Sequence, residues 1–154
     1  MVHPGNGFIT CRDAALAPAL YDNPALTQEF ARLQPADLVP AAYAISGVFD
    51  LAPLTQVSQN QDLRLDDAEA RRVSPLHWKV PAGRTLDAVV GGLESSEFLR
   101  QSRIIVEGWG ARGVATRYEA MARMNHFTIV DALSDPASAM TRRVAQLAEM
   151  VSAI

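Results

Sequence analysis

The chain has 154 residues, of which 49% are hydrophobic and 20% charged, with a formal net charge of −3 at pH 7. That length fits one domain with a core of its own, and the composition is typical of a folded α/β domain and excludes a disordered chain. The small negative charge gives no electrostatic reason to expect nucleic acid or an anionic membrane as partner. Cys11 is the only cysteine, which excludes an intramolecular disulfide and a cysteine-based metal cage.

The first residues, 1–8, lack the basic and then apolar layout of a signal peptide. No apolar run approaches the roughly 20 residues that a membrane-spanning helix needs. We therefore expect a cytoplasmic protein without a membrane span.

Residues 1–37 form the first predicted region, in which frequent prolines and glycines interrupt every periodic pattern. We expect irregular structure with short helical pieces. The best of these covers 23–33, where Asn23 is a suitable N-cap and Pro24 occupies the first helical position.

From residue 38 onward, strands alternate with helices. Strands are predicted at about 38–46, 86–91 and 114–119; the first two are nearly continuous apolar runs, whereas the third alternates in character as an edge strand does. Helices are predicted over about 64–72, 95–107 and 137–152. Such alternation implies right-handed crossovers, so we predict an α/β fold with a three-stranded parallel sheet flanked by helices.

The last predicted helix carries apolar residues at helical spacing, including Met140, Val144 and Leu147, which we expect to face the core. Arg142 and Arg143 are expected to face solvent.

An acid and a histidine follow the second and third predicted strands. Glu94 comes after the apolar run 86–92, and His126 lies in the turn after the third strand. Functional groups in open α/β sheets collect at the carboxyl ends of the strands. A carboxylate that accepts a hydrogen bond from one imidazole nitrogen leaves the other nitrogen ready to take a proton from a nucleophile. The two residues are therefore candidates for the acid and the base of a hydrolase triad.

Four segments around this pair resemble the kynurenine formamidase (arylformamidase) branch of the carboxylesterase-like α/β-hydrolases, over about residues 36–150. They are Ala-Ile-Ser-Gly-Val-Phe-Asp-Leu at 44–51, Ser-Pro-Leu at 74–76, Gly-Gly-Leu-Glu-Ser-Ser-Glu-Phe-Leu-Arg-Gln-Ser at 91–102 and Asn-His-Phe at 125–127. The resemblance implies that residues 38–154 are the C-terminal portion of a hydrolase domain, whose three strands would be the last of eight. It also implies that Glu94 is the triad acid and His126 the triad histidine, with small acyl or formyl amides or esters as substrates and no cofactor.

The nucleophile of that family is absent, since the chain contains no Gly-x-Ser-x-Gly sequence. We therefore expect a truncated serine hydrolase that is inactive alone. Two alternatives stay open. The chain could be a non-enzymatic module that forms homo-oligomers or binds a partner chain through the apolar strand Leu38–Ile45, or it could be one half of a split hydrolase whose other half supplies the serine.

Other residues are weaker candidates for chemistry. Cys11 follows no strand and is a poor candidate nucleophile, and Ser46 ends the first strand in a context that the resemblance places away from the nucleophile. Asp50 could be an alternative acid, but a turn or capping role is favoured. His77 is expected to pack at the surface and His3 to lie in a mobile terminus. The three histidines lack metal-ligand spacing, so no metal site is predicted.

Overall fold

The computed structural model describes residues 39–80 and 83–152, with no side-chain detail at 151 and 152. The predictions for residues 1–37, including the helix at 23–33, lie outside the described residues, as do His3 and Cys11. The chain divides into two compact units. The described part of the first is Val39 with 50–78, and that of the second is 40–49 with 79–80 and 83–152.

The first unit contains two short helices, α1 (Asn60–Leu63) and α2 (Asp67–Val73), with 3-10 turns at Ala52–Gln56 and Pro75–His77. The side chain of Asp66 caps α2 by accepting a hydrogen bond from the backbone N–H of Glu69 at 2.8 Å. Because Asp66 is the cap, α2 starts later than the predicted residue 64.

The second unit contains the sheet, with strands β1 (Ala41–Ile45), β2 (Thr85–Gly91) and β3 (Ala115–Met121). The strands run parallel in the order β1-β2-β3, so β2 is central. It is buried along nearly its whole length, whereas β3 alternates between more and less exposed positions. These features confirm the predicted α/β fold with a three-stranded parallel sheet. β3 runs two residues beyond the predicted residue 119, to Met121.

Two longer helices flank the sheet. Helix α3 (Ser96–Gly110) packs against β2 and β3, and helix α4 (Ala139–Ser152) packs against β1 and the 3-10 helix Thr128–Ser134. The core beside α4 contains two residues of that helix and one each from β1, β2 and the 3-10 helix: Met140, Leu147, Tyr43, Val89 and Ile129. No helix in the described ranges is long and apolar enough to cross a membrane.

Two expectations for α4 are wrong. Val144 is 38% exposed, so the apolar face of the helix is narrower than its sequence indicates. Arg143 does not face solvent, because its guanidinium donates two hydrogen bonds to the buried carboxylate of Asp87. Nε lies 2.6 Å from Oδ2, and Nη2 lies 3.1 Å from Oδ1. Arg117 on β3 approaches the same carboxylate at 3.4 Å. An acid in the middle of β2 is thus neutralised by cations from the neighbouring strand and from α4.

Candidate active site

The carboxyl ends of β2 and β3 lead into two loops that are hydrogen-bonded to each other. The backbone N–H of Gly92 donates to the carbonyl of Met121 at 2.8 Å, and that of Leu93 donates to Met124 at 2.9 Å. A Cβ atom at Gly91 would lie only 2.5 Å from the Met124 carbonyl oxygen, so this close approach requires glycine. The loop that carries Glu94 is therefore fixed against the loop that carries His126.

The Glu94 carboxylate is fully buried and accepts three hydrogen bonds. Its Oε1 atom accepts one from the hydroxyl of Ser46 at 2.5 Å and one from the backbone N–H of Gly91 at 2.7 Å. Its Oε2 atom lies 2.8 Å from Nδ1 of His126. The side chain has 0% exposure, so these donors replace the water that the carboxylate lacks.

Opposing effects set the pKa of Glu94. Burial acts to raise it, but the hydrogen bonds from Ser46, Gly91 and His126, together with the electrostatic attraction of His126, outweigh burial and hold the pKa below its ordinary value of 4.5. Glu94 is therefore a carboxylate at neutral pH. Because it can only accept, Nδ1 of His126 carries the proton of the shared hydrogen bond.

His126 is half exposed, with 49% of its side chain accessible, and it is held by aromatic neighbours. The ring of Phe98 lies 4.8 Å away between centroids, and that of Phe127 lies 5.7 Å away at an interplanar angle of 84°. Asn125 fixes the following turn, since its Oδ1 accepts from the backbone N–H groups of Phe127 and Thr128 at 2.9 and 3.0 Å. Among the described residues none hydrogen-bonds Nε2 of His126, so that nitrogen remains available as an acceptor.

A cleft of about 310 Å³ opens beside the histidine. Apolar side chains dominate its rim, because Leu93 is 66% and Phe127 81% exposed. Its lining consists of Leu93, Glu94, Ser95, Phe98, Asn125, His126 and Phe127. The opening of the cleft is thus mainly apolar and leads to one half-exposed imidazole.

The structure also places the weaker candidates. Asp50 accepts a hydrogen bond from the backbone N–H of Ala52 at 3.2 Å, which is the predicted turn role, and the acid in contact with His126 is Glu94. His77 is exposed in the turn after α2. Ser46 contacts the acid, and sequence reasoning missed this partner because the two residues are 48 positions apart. They meet because Ser46 follows β1 and Glu94 follows β2, and these parallel strands end at the same edge of the sheet.

No serine of the described residues is hydrogen-bonded to His126. Other side chains or backbone groups engage the hydroxyls of Ser46, Ser58, Ser74, Ser95, Ser134 and Ser138. The buried hydroxyl of Ser102 has no partner among the described residues. Ser95 lines the same cleft as His126, and its hydroxyl accepts from the backbone N–H of Phe98 at 3.4 Å. Residues 1–38 contain no serine at all.

Comparisons with known proteins give two likenesses. No protein-family model matches the chain. Over 122 residues it is 25% identical to kynurenine formamidase from Danio rerio, which covers 76% of this chain and 42% of the relative. A crystal structure from Silicibacter sp. TM1040, of a protein to which thioesterase activity is ascribed, matches with a TM-score of 0.66 at 20% identity.

The structural match covers 87% of this chain and 58% of the Silicibacter protein. The chain thus spans about half the length of these proteins. The structural likeness shows the fold, and the distant sequence likeness supports a hydrolase-like module.

Proposed function

We propose that this chain supplies the acid and the general base of a serine hydrolase triad, with Glu94 as the orienting acid and His126 as the base. The observation that carries the proposal is the 2.8 Å contact between Oε2 of Glu94 and Nδ1 of His126, made by a carboxylate with no exposed surface. In this arrangement Nε2 takes a proton from an attacking hydroxyl and later returns it to the leaving group. Glu94 stabilises the imidazolium that forms between these steps.

The proposed substrates are small formyl or acyl amides and esters. The relative from Danio rerio is a formamidase, and formamide hydrolysis needs a base that can activate a hydroxyl and then protonate an amine. The apolar rim formed by Leu93 and Phe127 suits an uncharged acyl group or leaving group.

The proposed nucleophile is a serine on a polypeptide segment other than these 154 residues. The supporting observation is that none of the described serines donates a hydrogen bond to His126, while the region 1–38 has no serine to offer. A base without a nucleophile and without oxyanion donors retains little of the rate enhancement of a triad. The 154-residue chain by itself is therefore expected to be inactive toward esters and formamides.

An externally supplied alcohol tests the base. The purified chain is incubated with p-nitrophenyl acetate, with and without added methanol, and with N-formylkynurenine. Without methanol we expect no turnover above buffer and no labelling by a fluorophosphonate probe. With methanol, His126 can activate its hydroxyl, so acetyl transfer to methanol should exceed the buffer rate, and His126→Ala should abolish this excess.

Three results would contradict the proposal, and the first is that the wild-type chain shows no methanol-dependent transfer above the buffer rate. Turnover and labelling without methanol, both lost in Ser95→Ala, would show that the chain has its own nucleophile. Methanol-dependent transfer that is equal in the wild-type chain and in His126→Ala would show that His126 is not the base.

A further inference from the structure

Ser46 stands in an unusual backbone conformation at the end of β1. Its φ angle is +49°, in the left-handed region that non-glycine residues rarely adopt. Its backbone N–H continues the sheet by donating to the carbonyl of Val89 at 2.8 Å. The chain turns sharply at this residue, and the turn carries the Ser46 hydroxyl to within 2.5 Å of Oε1 of Glu94. Strain retained at a site often serves a function.

The segment that follows Ser46 is anchored in turn. The backbone N–H of Phe49 donates to Oε1 of the buried Gln101 on α3 at 2.9 Å. The Phe49 ring lies across Gly47, where a Cβ atom would collide with the ring carbon Cζ. The sheet therefore holds the backbone of Ser46 itself, and α3 holds the chain three residues later.

We propose that Ser46 is a positioning residue for the Glu94–His126 pair: its hydroxyl and the Gly91 N–H together occupy Oε1, so that Oε2 alone is presented to Nδ1 of His126. The inference rests on the proposed function, since it assigns a role to a residue that touches the acid and not the substrate. A carboxylate can turn about its terminal bond, and two donors fixed on one oxygen stop that rotation.

The same contact keeps the acid ionised in a buried place. Burial favours the neutral form of Glu94, and the Ser46 hydroxyl is the first of the donors that oppose it. Without that donor, burial weighs more heavily and the pKa of Glu94 moves upward. A serine that served only the turn would leave this pKa unchanged.

Two substitutions separate the hydroxyl from the backbone strain. Both Ser46→Ala and Ser46→Gly remove the donor, but only glycine adopts a positive φ without steric cost. Ser58→Ala is the matched control, because the hydroxyl of Ser58 contacts only its exposed neighbour Gln59. The Glu94 carboxyl is followed by ¹³C NMR during a pH titration of each variant, with its resonance assigned by its absence in Glu94→Gln.

We expect Glu94 to titrate at higher pH in both Ser46 variants and to be unchanged in Ser58→Ala. Methanol-dependent acetyl transfer at neutral pH should fall about tenfold in both Ser46 variants, because the Glu94 carboxylate no longer holds the His126 ring in its orientation. Ser46→Ala should also unfold at a lower urea concentration than Ser46→Gly, because alanine keeps the steric cost of the positive φ angle. Ser46→Gly therefore remains informative if Ser46→Ala does not fold.

An unchanged Glu94 titration in Ser46→Gly would overturn the inference. If the wild-type chain shows no methanol-dependent transfer while the titration still moves, the proposed function fails but the link between Ser46 and Glu94 stands. The two failures are therefore distinguishable.

Discussion

Three donors share the carboxylate of Glu94, and the length of the glutamate side chain decides whether all of them can reach it. The side chain folds back over its own turn, in which the Glu94 N–H donates to the Gly91 carbonyl at 3.0 Å, and reaches the Gly91 N–H from there. The carboxylate thus contacts Gly91, Ser46 and His126 together, and we expect that the shorter side chain of aspartate could not reach all three.

The variant Glu94→Asp tests this dependence on side-chain length. Aspartate withdraws the carboxylate by about 1.5 Å, one carbon–carbon bond, so at least one donor loses its acceptor. We expect a loss of about 1–3 kcal/mol in the free energy of unfolding, because a buried polar group is left unpaired. The measurement is urea unfolding, and an unfolding midpoint equal to that of the wild-type chain would contradict the expectation.

Glutamine keeps the length and changes the proton arrangement. Its amide oxygen can accept from Ser46 and Gly91, and its NH₂ group must then donate to Nδ1 of His126. We expect the imidazole proton to move from Nδ1 to Nε2, which ¹⁵N NMR of the histidine ring reports. Retention of the Nδ1–H tautomer in Glu94→Gln would mean that Glu94 does not orient the ring.

At the scale of elements, an ion pair attaches α4 to the sheet. Asp87 is fully buried at the centre of β2, and Arg143 meets it with two hydrogen bonds. The pairing raises the pKa of Arg143 through its hydrogen bonds to Asp87, so the guanidinium stays charged. Loss of the main partner of a buried acid strongly destabilises the folded state. In this protein Arg117 would remain near the Asp87 carboxylate.

Neighbouring arginines on α4 provide a matched comparison. Arg143→Ala leaves Asp87 without its bidentate partner, and we expect it to lower the free energy of unfolding by about 3 kcal/mol. Arg142→Ala removes an exposed side chain of the same helix, and a change within about 0.5 kcal/mol is expected. Urea unfolding measures both. Equal effects in the two variants would mean that the contact with Asp87 contributes nothing beyond helix propensity.

At the scale of the whole molecule, the edge of the sheet at β1 bears on assembly. Within the described ranges, β1 pairs with β2 only. An unpaired strand edge exposes backbone donors and acceptors that a second chain can satisfy. The pairing of Leu38–Ile45 with another copy of this chain stays a prediction.

Light scattering over a range of protein concentrations tests that prediction. Association through a strand edge gives a mass that rises from that of a monomer toward that of a dimer as the concentration increases. A constant monomeric mass up to high micromolar concentration would contradict it.

Much of the fold could be predicted from local patterns. The apolar run before Gly91 identifies a buried strand, and the alternation over 115–119 identifies an edge. Either Ser95 or Ser96 could cap the helix that follows, and in the structure Ser95 is the N-cap of α3. Glu94 and His126 could be found because they follow strands, and parallel strands end at a common edge. These signals lie within a few residues of the feature they predict.

The sequence by itself determined the three parallel strands, the two longer helices and the two residues proposed as acid and base, because hydrophobic periodicity and strand-end position are local properties. Only the tertiary structure decided which groups satisfy the buried charges. Arg143 reaches Asp87 across 56 positions, and Ser46 reaches Glu94 across 48. Such partners depend on the strand register and on how α4 docks. A buried carboxylate must have a hydrogen-bonding partner, but the local sequence does not show which residue that partner is.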